Sequence, residues 1–331
     1  MLRLSARLRP GILGIAAAAT AAAASPAHAL NVLLTNDDGC AAPGITAVRK
    51  ALQEAGHRVI TVGPATNQSG SGGAYAVPDG STRLVIEPLA GSAETFCVHR
   101  VRPGFVAGSV LNATNPDYLG SGTPVDATAM GLRIIGPENG FAPDLVVSGA
   151  NFGENLSDSI PHSGTVMNVL FAARRGVPAI ALSVGVDFTE ARTGFASTLA
   201  TIPRAGAFLA RVIASLEARR VPGQPLLPAA HPLSINYPVV TGWKAPAGVR
   251  LTVAGTVDSF TTVYKRNPDH TVAIGVGAPD TEPPELARIA ETPAFLAGHI
   301  TISPLEVGFR PTPTAREQFS HAHRELVKLA P

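Results

Sequence analysis

The stretch NVLLTNDDGCAAPGITAVRKALQEAGHRVITV, residues 31–62, decides the fold class. Asn31 to Thr35 is a short apolar run that predicts a buried strand. Pro43 to Ala55 has helical periodicity, with proline in the first turn and Gly56 just past the end. His57 to Val62 predicts a second strand. Strand, helix and strand in this order form the βαβ unit of a parallel sheet.

The same pattern recurs further along the chain. Pro143 to Ser148 and Pro178 to Ser183 predict two more strands, with a helix near Thr165 to Arg175 between them. A long helical pattern follows from about Ala196 to Arg219. The sequence therefore predicts a doubly wound, Rossmann-like α/β core with a mostly parallel sheet, from roughly residue 30 to 240.

The C-terminal part, residues 241–331, has a different sequence pattern. Short alternating runs at Val249 to Val253 and Phe260 to Tyr264 predict strands, and so does His299 to Ser303. An amphipathic helix is predicted near Thr314 to Leu329. We therefore expect a β-rich extension, a return strand and a final helix. The pattern from Val77 to Asp117 is too weak to predict any element.

The N-terminal residues 1–29 have the pattern of a secretory signal peptide. Three arginines precede the apolar run Gly11 to Ala24, and Ala27, His28 and Ala29 form a small-residue cleavage site. An uncleaved membrane anchor is the alternative, but a spanning helix needs about 20 apolar residues and this run is shorter. We expect export to the periplasm or medium, with cleavage near Ala29 and no stable membrane anchor.

Removal of this segment changes the charge balance. The full chain has 26 basic and 24 acidic side chains, and the signal peptide contains three of the basic ones and none of the acidic ones. The remaining chain has a slight acidic excess and no Lys/Arg cluster, which argues against a nucleic-acid polymer as partner.

The chain has two cysteines, Cys40 and Cys97. In an oxidising compartment they can form a disulfide, or they can be two separate buried thiols, and the sequence leaves both open. The sequence contains no CxxC motif and no Cys/His cluster, so it does not predict a structural zinc site.

The residues that follow the first predicted strand are Asn36, Asp37, Asp38 and Gly39. Neighbouring strand residues point to opposite faces, but a turn at Gly39 lets both carboxylates converge. Two close carboxylates need a proton or a cation between them, and oxygen ligands suit Mg²⁺, Mn²⁺ or Ca²⁺. The alternative is an ordinary turn and helix N-cap.

Two further segments carry polar groups. Ser69 to Gly73 is a serine- and glycine-rich run, which by itself favours a flexible loop. Ser163, Gly164 and Thr165 open a predicted helix whose free N–H groups and hydroxyls suit a phosphate, although Ser163 can also be a simple N-cap. His162 is either an acid or phosphate contact or a structural residue. A cation and a phosphate cradle together suit phosphoryl hydrolysis.

Seven longer motifs occur in order along the chain: LLTNDDGCAAPGI (33–45), VGPATNQSGSG (62–72), GTPVDAT (122–128), PDLVVSGANFGENL (143–156), HSGTV (162–166), SINYP (234–238) and FLAGHITISPL (295–305). Together they resemble the SurE survival-protein family of nucleotidases and phosphatases. The resemblance implies an α/β core, an extension often exchanged between subunits of a dimer or tetramer, and a metal-dependent phosphomonoesterase acting on nucleoside monophosphates.

The resemblance also implies roles for single residues. The metal ligands would be Asp37, Asp38, Ser69 and Asn151. The residues placed around the phosphate would be Asn36, Asn155, Ser163, Gly164 and Thr165.

We expect the acidic pair, Asp37 and Asp38, to have the catalytic roles. We hypothesise that the metal activates a water molecule and that Asp38 receives its proton, with a covalent aspartyl-phosphate as the competing route. An exported protein that binds phosphate or nucleotides without turnover is the alternative function.

Overall fold

A ten-stranded, mostly parallel sheet forms the centre of the protein. The computed structural model describes residues 29–239, 245–308 and Glu317. The predicted signal peptide, apart from Ala29, and the predicted final helix, apart from Glu317, lie outside these residues. The strands are β1 (Asn31–Thr35), β2 (Arg58–Pro64), β3 (Arg83–Pro88), β4 (Thr95–Val101), β5 (Tyr118–Ser121), β6 (Leu145–Phe152), β7 (Ala179–Val184), β8 (Leu233–Tyr237), β9 (Gly248–Leu251), β10 (Thr261–Arg266), β11 (Val272–Gly277) and β12 (His299–Pro304). The helices are α1 (Pro43–Glu54), α2 (Pro124–Met130), α3 (Gly136–Glu138), α4 (Gly164–Ala173), α5 (Ala196–Glu217) and α6 (Glu291–Leu296).

The strand order in the sheet is β3-β4-β2-β1-β6-β7-β8-β12-β9, and β5 pairs with β4. Strands β4, β2, β1, β6, β7 and β8 run parallel to one another. At the edges, β3 and β5 are antiparallel to β4, and β12 is antiparallel to β8. The predicted α/β fold with a mostly parallel sheet and additional C-terminal strands is therefore confirmed.

Strand β1 shows why helices cover both faces of the sheet. Its apolar side chains alternate, so that Leu34 packs into a core cluster with Leu52 of α1 and Ile213 of α5. Leu33 belongs to the cluster on the opposite face, with Val166 of α4. A strand buried on both faces has a continuous apolar run, which is the signal that the sequence carried.

Helix α5 is long and apolar enough, by length and composition, to cross a membrane. In the structure its apolar face is part of the protein core. Ile202, Leu209 and Ile213 are buried against α1 and the sheet. Packing in the core therefore accounts for the apolar composition of this helix.

Residues 77–117 contain structure that the sequence did not predict. Two strands, β3 and β4, form an antiparallel pair there. In strand β4, the half-buried His99 and Arg100 interrupt the run of buried positions. Strand β3 is an edge strand with no fully buried residue. Neither strand therefore gives a clean alternation of apolar and polar residues.

The C-terminal strands divide between two sheets. Strands β9 and β12 pair with each other and extend the main sheet beyond β8. Strands β10 and β11 form a separate antiparallel pair, here called the arm, in which Tyr264 is 71% and Ile274 is 73% exposed. The domain boundary near residue 240 stays a prediction.

Cys40 and Cys97 form a disulfide, which decides between the two alternatives that the sequence left open. Cys40 lies in the loop after β1, where its N–H donates to the carbonyl of Pro64 at the end of β2 over 2.7 Å. Cys97 lies on β4, which is the next strand beyond β2. The bridge thus fastens the loop that follows the acidic pair to a strand two positions away in the sheet.

We expect the disulfide to contribute about 4 kcal/mol to the free energy of unfolding, because it closes a loop with a sequence separation of 57 residues. Urea unfolding of the double variant Cys40→Ser/Cys97→Ser measures this contribution. A reducing agent should lower the stability of the native protein to that of the variant and leave the variant unchanged. Equal stability of the oxidised and reduced native protein would contradict the expectation.

Candidate active site

The predicted site residues lie at the carboxyl end of the sheet, around the point where the chain reverses its winding. Strand β1 leads into α1 on one face, whereas β6 leads toward α4 on the other face. Strands β1 and β6 are direct neighbours. The loops after them therefore diverge to opposite sides and leave a crevice, which is the usual ligand position in a doubly wound sheet.

Asp37 is held against the start of α4. The Thr165 hydroxyl donates to its Oδ1, and the backbone N–H groups of Gly164 and Thr165 also hydrogen-bond its carboxylate. The approach is close, since a Cβ on Gly164 would lie 2.7 Å from the Cβ of Asp37. Burial raises the pKa of Asp37 above its ordinary value, although these hydrogen bonds oppose the shift.

Asp38 is the second carboxylate of the pair. Its Oδ2 accepts a hydrogen bond of 2.9 Å from the backbone N–H of Phe152 at the end of β6. Burial, and then the charge of Asp37, raises the pKa of Asp38 from 3.8 to about 6. Within the described chain, no Lys, Arg or His is among the groups that shift the pKa of either carboxyl.

Ser69 and Asn151 lie close to this pair in the fold. Ser69 and Asp38 line the same cleft of about 250 Å³. Asn151 directly precedes Phe152, where the register of β6 against β7 shifts. Its Nδ2 donates to the carbonyl of Gly153 over 2.7 Å, whereas its buried Oδ1 has no hydrogen-bond partner. This amide oxygen belongs to the residue before the one whose N–H holds Asp38, and as an acceptor without a partner it is available for a cation.

The described residues include no group of three or more His, Cys, Asp and Glu side chains that could hold a metal ion. The predicted ligand set does not depend on such a group. It combines two carboxylates with one hydroxyl and one amide oxygen, which is the chemistry that hard divalent cations prefer.

Two of the residues predicted to contact the phosphate, Asn36 and Asn155, already make hydrogen bonds to other groups of the protein. Asn36 is buried, and its side chain closes the turn by bonding both the N–H and the carbonyl of Gly39. Asn155 donates to the Ser183 hydroxyl over 2.8 Å, and its N–H bonds to Asn236 on β8. Both amides are thus engaged in loop contacts here, and their contact with a phosphate stays a prediction.

Several of the N–H groups in the first turn of α4 are already hydrogen-bonded within the protein. Ser163 caps the helix by accepting from the N–H of Val166 over 3.0 Å, as the simple N-cap interpretation expects. Gly164 and Thr165 face Asp37, so the positive end of the helix dipole lies against the acidic pair. The exposed His162 contributes its backbone carbonyl, which accepts from the N–H of Gly72 and fastens the glycine-rich loop beside the helix.

Two groups at the site were not predicted from the sequence. Asn168 is fully buried in α4 and donates to the Asn36 carbonyl over 3.3 Å and to the Ser148 hydroxyl over 3.2 Å. Its position three residues after Thr165, on the same face of an apolar helix, was a readable signal. The apolar cleft residues Phe152 and Ile202 gave no such signal, because their pattern is that of ordinary core residues.

The chain is similar in sequence to a family model and to several proteins that carry the same family name. The family model described as "Survival protein SurE" matches residues 32–260. The 5′-nucleotidase SurE of Deinococcus radiodurans is 31% identical over 310 residues, which cover 93% of this chain and 97% of that protein. The 5′-nucleotidase SurE of Fervidobacterium nodosum is 33% identical over 216 residues, covering 65% of this chain and 70% of that protein.

A third relative shares a shorter and more similar segment. The 5′-nucleotidase SurE of Rubrobacter xylanophilus is 43% identical over 155 residues, and the match spans 49% of its length, about half. Among solved structures, the SurE protein from Aquifex aeolicus superposes with a TM-score of 0.63 at 23% identity, covering 89% of this chain and 99% of that chain. This likeness supports the fold.

We expect Asp38→Asn to stabilise the metal-free protein at neutral pH. A folded pKa of about 6 means that the stability Asp38 contributes is fully present below pH 3.8 and is lost as the pH rises through 6. The difference in pKa corresponds to about 3 kcal/mol, which the variant should recover at pH 8 but not at pH 4. Urea unfolding in the presence of a chelator measures it at both pH values.

The exposed Glu138→Gln in α3 is the matched control, because it removes a solvated carboxylate and should change stability little at either pH. A variant at Asp38 that is less stable than the native protein at pH 8 would contradict the burial argument.

Proposed function

The chain belongs to the SurE family of survival proteins, and we propose that it is an exported, divalent-metal-dependent phosphomonoesterase that hydrolyses nucleoside monophosphates. The observation that carries this proposal is the pair Asp37 and Asp38, the first buried and the second partly buried, at the reversal point of the sheet. Among the described residues, no cationic side chain shifts the pKa of either carboxyl. The name of the relatives, 5′-nucleotidase, supports the substrate class. The proposed substrates include 3′-nucleotides as well as 5′-nucleotides.

The residues that would hold the cation are Asp37, Asp38, Ser69 and Asn151. They fit because two of them are carboxylates with raised pKa values and a third offers a buried oxygen without a partner. Mg²⁺, Mn²⁺ or Ca²⁺ matches this oxygen set. When bound, such a cation lowers the pKa of a water molecule and offsets the negative charge of the phosphoryl group.

Asp38 is the residue that we assign to proton transfer. The Phe152 N–H fixes one of its oxygens, so the orientation of the carboxylate is set by the main chain of β6. A carboxylate oriented in this way can take a proton from an attacking water. Asp37, in contrast, is tied to Thr165 and the first turn of α4, which suits a fixed ligand.

The start of α4 is assigned to the phosphoryl group. Ser163, Gly164 and Thr165 put the positive end of the helix dipole beside the acidic pair, which favours negative charge that builds up as the ester bond breaks. Asn36 and Asn155 are the other proposed contacts. Their hydrogen bonds to Gly39 and Ser183 also hold the loops that carry the site.

The disulfide supports export, because structural disulfides are typical of oxidising compartments. Cleavage after Ala29 would make Leu30 the first residue, and its nitrogen already donates to Nδ1 of His57 over 3.3 Å. The arm supports a homodimer or homotetramer, because Tyr264 and Ile274 are large apolar side chains exposed on the same hairpin.

We expect phosphate release from nucleoside monophosphates to stop on chelation and to return with Mg²⁺ or Mn²⁺. Asp37→Ala and Asp38→Ala should reduce it to the background level while the circular dichroism spectrum stays native. Asn151→Ala should raise the metal concentration for half-maximal activity at least about 10-fold, since even residues one step removed from a metal have effects of that size.

Asn112→Ala is the matched control for Asn151, because its side chain closes an exposed turn by bonding Thr114. Full activity in either aspartate variant would overturn the assignment. Stoichiometric nucleotide binding without phosphate release would favour a binding protein instead.

We also expect the protein isolated from the exported fraction to begin at Leu30 and to sediment as a dimer or tetramer. N-terminal sequencing and analytical ultracentrifugation measure the two properties. An N-terminus upstream of residue 29 would contradict cleavage, and a monomer at micromolar concentration would contradict assembly through the arm.

A further inference from the structure

The cleft at Asp38 is lined by two chemically different kinds of residue. Asp38, Asn67 and Ser69 provide polar atoms. Phe152 and Pro43, together with the almost fully buried Ile202, provide an aromatic ring and hydrocarbon, and these three are here called the apolar wall. Small-molecule sites usually combine a mostly apolar lining with a few polar groups that fix orientation, and this cleft has both features.

The apolar wall is held in place from several directions. The Phe152 ring packs edge-on against the Phe195 ring, with 5.4 Å between centroids and an angle of 82°. Phe195 is the N-cap of α5, and Ile202 lies within that helix as a buried residue of the core. Pro43 is the first residue of α1. The wall is therefore built from rigid elements, and its shape does not depend on a loop.

The distance between the wall and the acidic pair is fixed by the main chain. Phe152 supplies both the N–H that holds Asp38 and the aromatic ring that lines the cleft. The carboxylate that we assign to proton transfer and the Phe152 ring therefore line one cleft. The cleft, at about 250 Å³, is smaller than the pockets of roughly 300–1,000 Å³ that enclose whole drug-sized molecules.

We propose that the apolar wall binds the ring of the leaving group, so that ring-bearing phosphomonoesters such as nucleotides are preferred over acyclic ones. This inference rests on the proposed function and specifies which part of the substrate the enzyme recognises. Stacking on an aromatic side chain accepts any base, because every base has a π-face. The wall therefore selects for a planar ring and discriminates weakly between bases.

The test compares adenosine 5′-monophosphate with glycerol 2-phosphate, which has the same reacting group and no ring. In Phe152→Ala the ratio of the two kcat/KM values should fall by about 5- to 100-fold, mainly through a higher KM for the nucleotide. Phe152→Leu keeps most of the apolar volume and should lie between this variant and the native protein.

Phe188→Ala is the matched control. Its ring also makes an edge-on pair, with Phe260, but it does not line the cleft, so the ratio should stay at the native value. An unchanged ratio in Phe152→Ala would overturn the proposal, and so would equal losses on both substrates, which would show that the ring acts only through Asp38.

Binding measurements separate this proposal from the proposed function. If the native protein hydrolyses neither ester, the proposed function fails. Calorimetry with adenosine 5′-monophosphate and inorganic phosphate then still tests the wall. Phe152→Ala should weaken the binding of the nucleotide relative to that of phosphate, and equal weakening of both would overturn the inference.

Discussion

Two adjacent carboxylates, the buried Asp37 and the partly buried Asp38, lie at the end of the central strand, and the rest of the site is arranged around the electrostatic cost of that placement. Burial raises the free energy of ionising both carboxyls, and the charge of Asp37 adds to the cost for Asp38. The groups that offset it are dipoles: the first turn of α4, the Thr165 hydroxyl and the Phe152 N–H. Dipoles reduce the cost without supplying a positive charge, and a proton or the divalent cation that we propose would offset the remainder.

Much of this arrangement could be predicted from the sequence, because it follows from one rule about parallel sheets. The apolar run before Asn36 identified a strand buried on both faces, and the carboxyl ends of such strands lie at one edge of the sheet. The rule places polar residues that follow different strands at this edge, and Asp37 accordingly bonds Thr165, which is 128 positions away in the chain. Asp38 and Ser69 likewise line one cleft.

The remaining features depend on tertiary contacts that leave no local pattern. The pairing of Cys40 with Cys97 requires that β4 lie next to β2, and β4 itself was not predicted because its half-buried residues interrupt the periodicity. The engagement of Asn155 with Ser183 likewise depends on which strand is the neighbour of β6. Phe152 has the sequence pattern of any core residue, and only the open space beside it distinguishes it.

The position of the disulfide has a consequence for what a protease can do to this protein. The chain from Cys40 to Cys97 is a covalently closed ring, and it contains Ser69 together with the exposed stretch 77–81. A single cut in that stretch opens the ring but leaves both fragments joined through the sulfur atoms. The two halves of the proposed metal site thus stay on one molecule after nicking, and they separate on a denaturing gel only when a reductant is added.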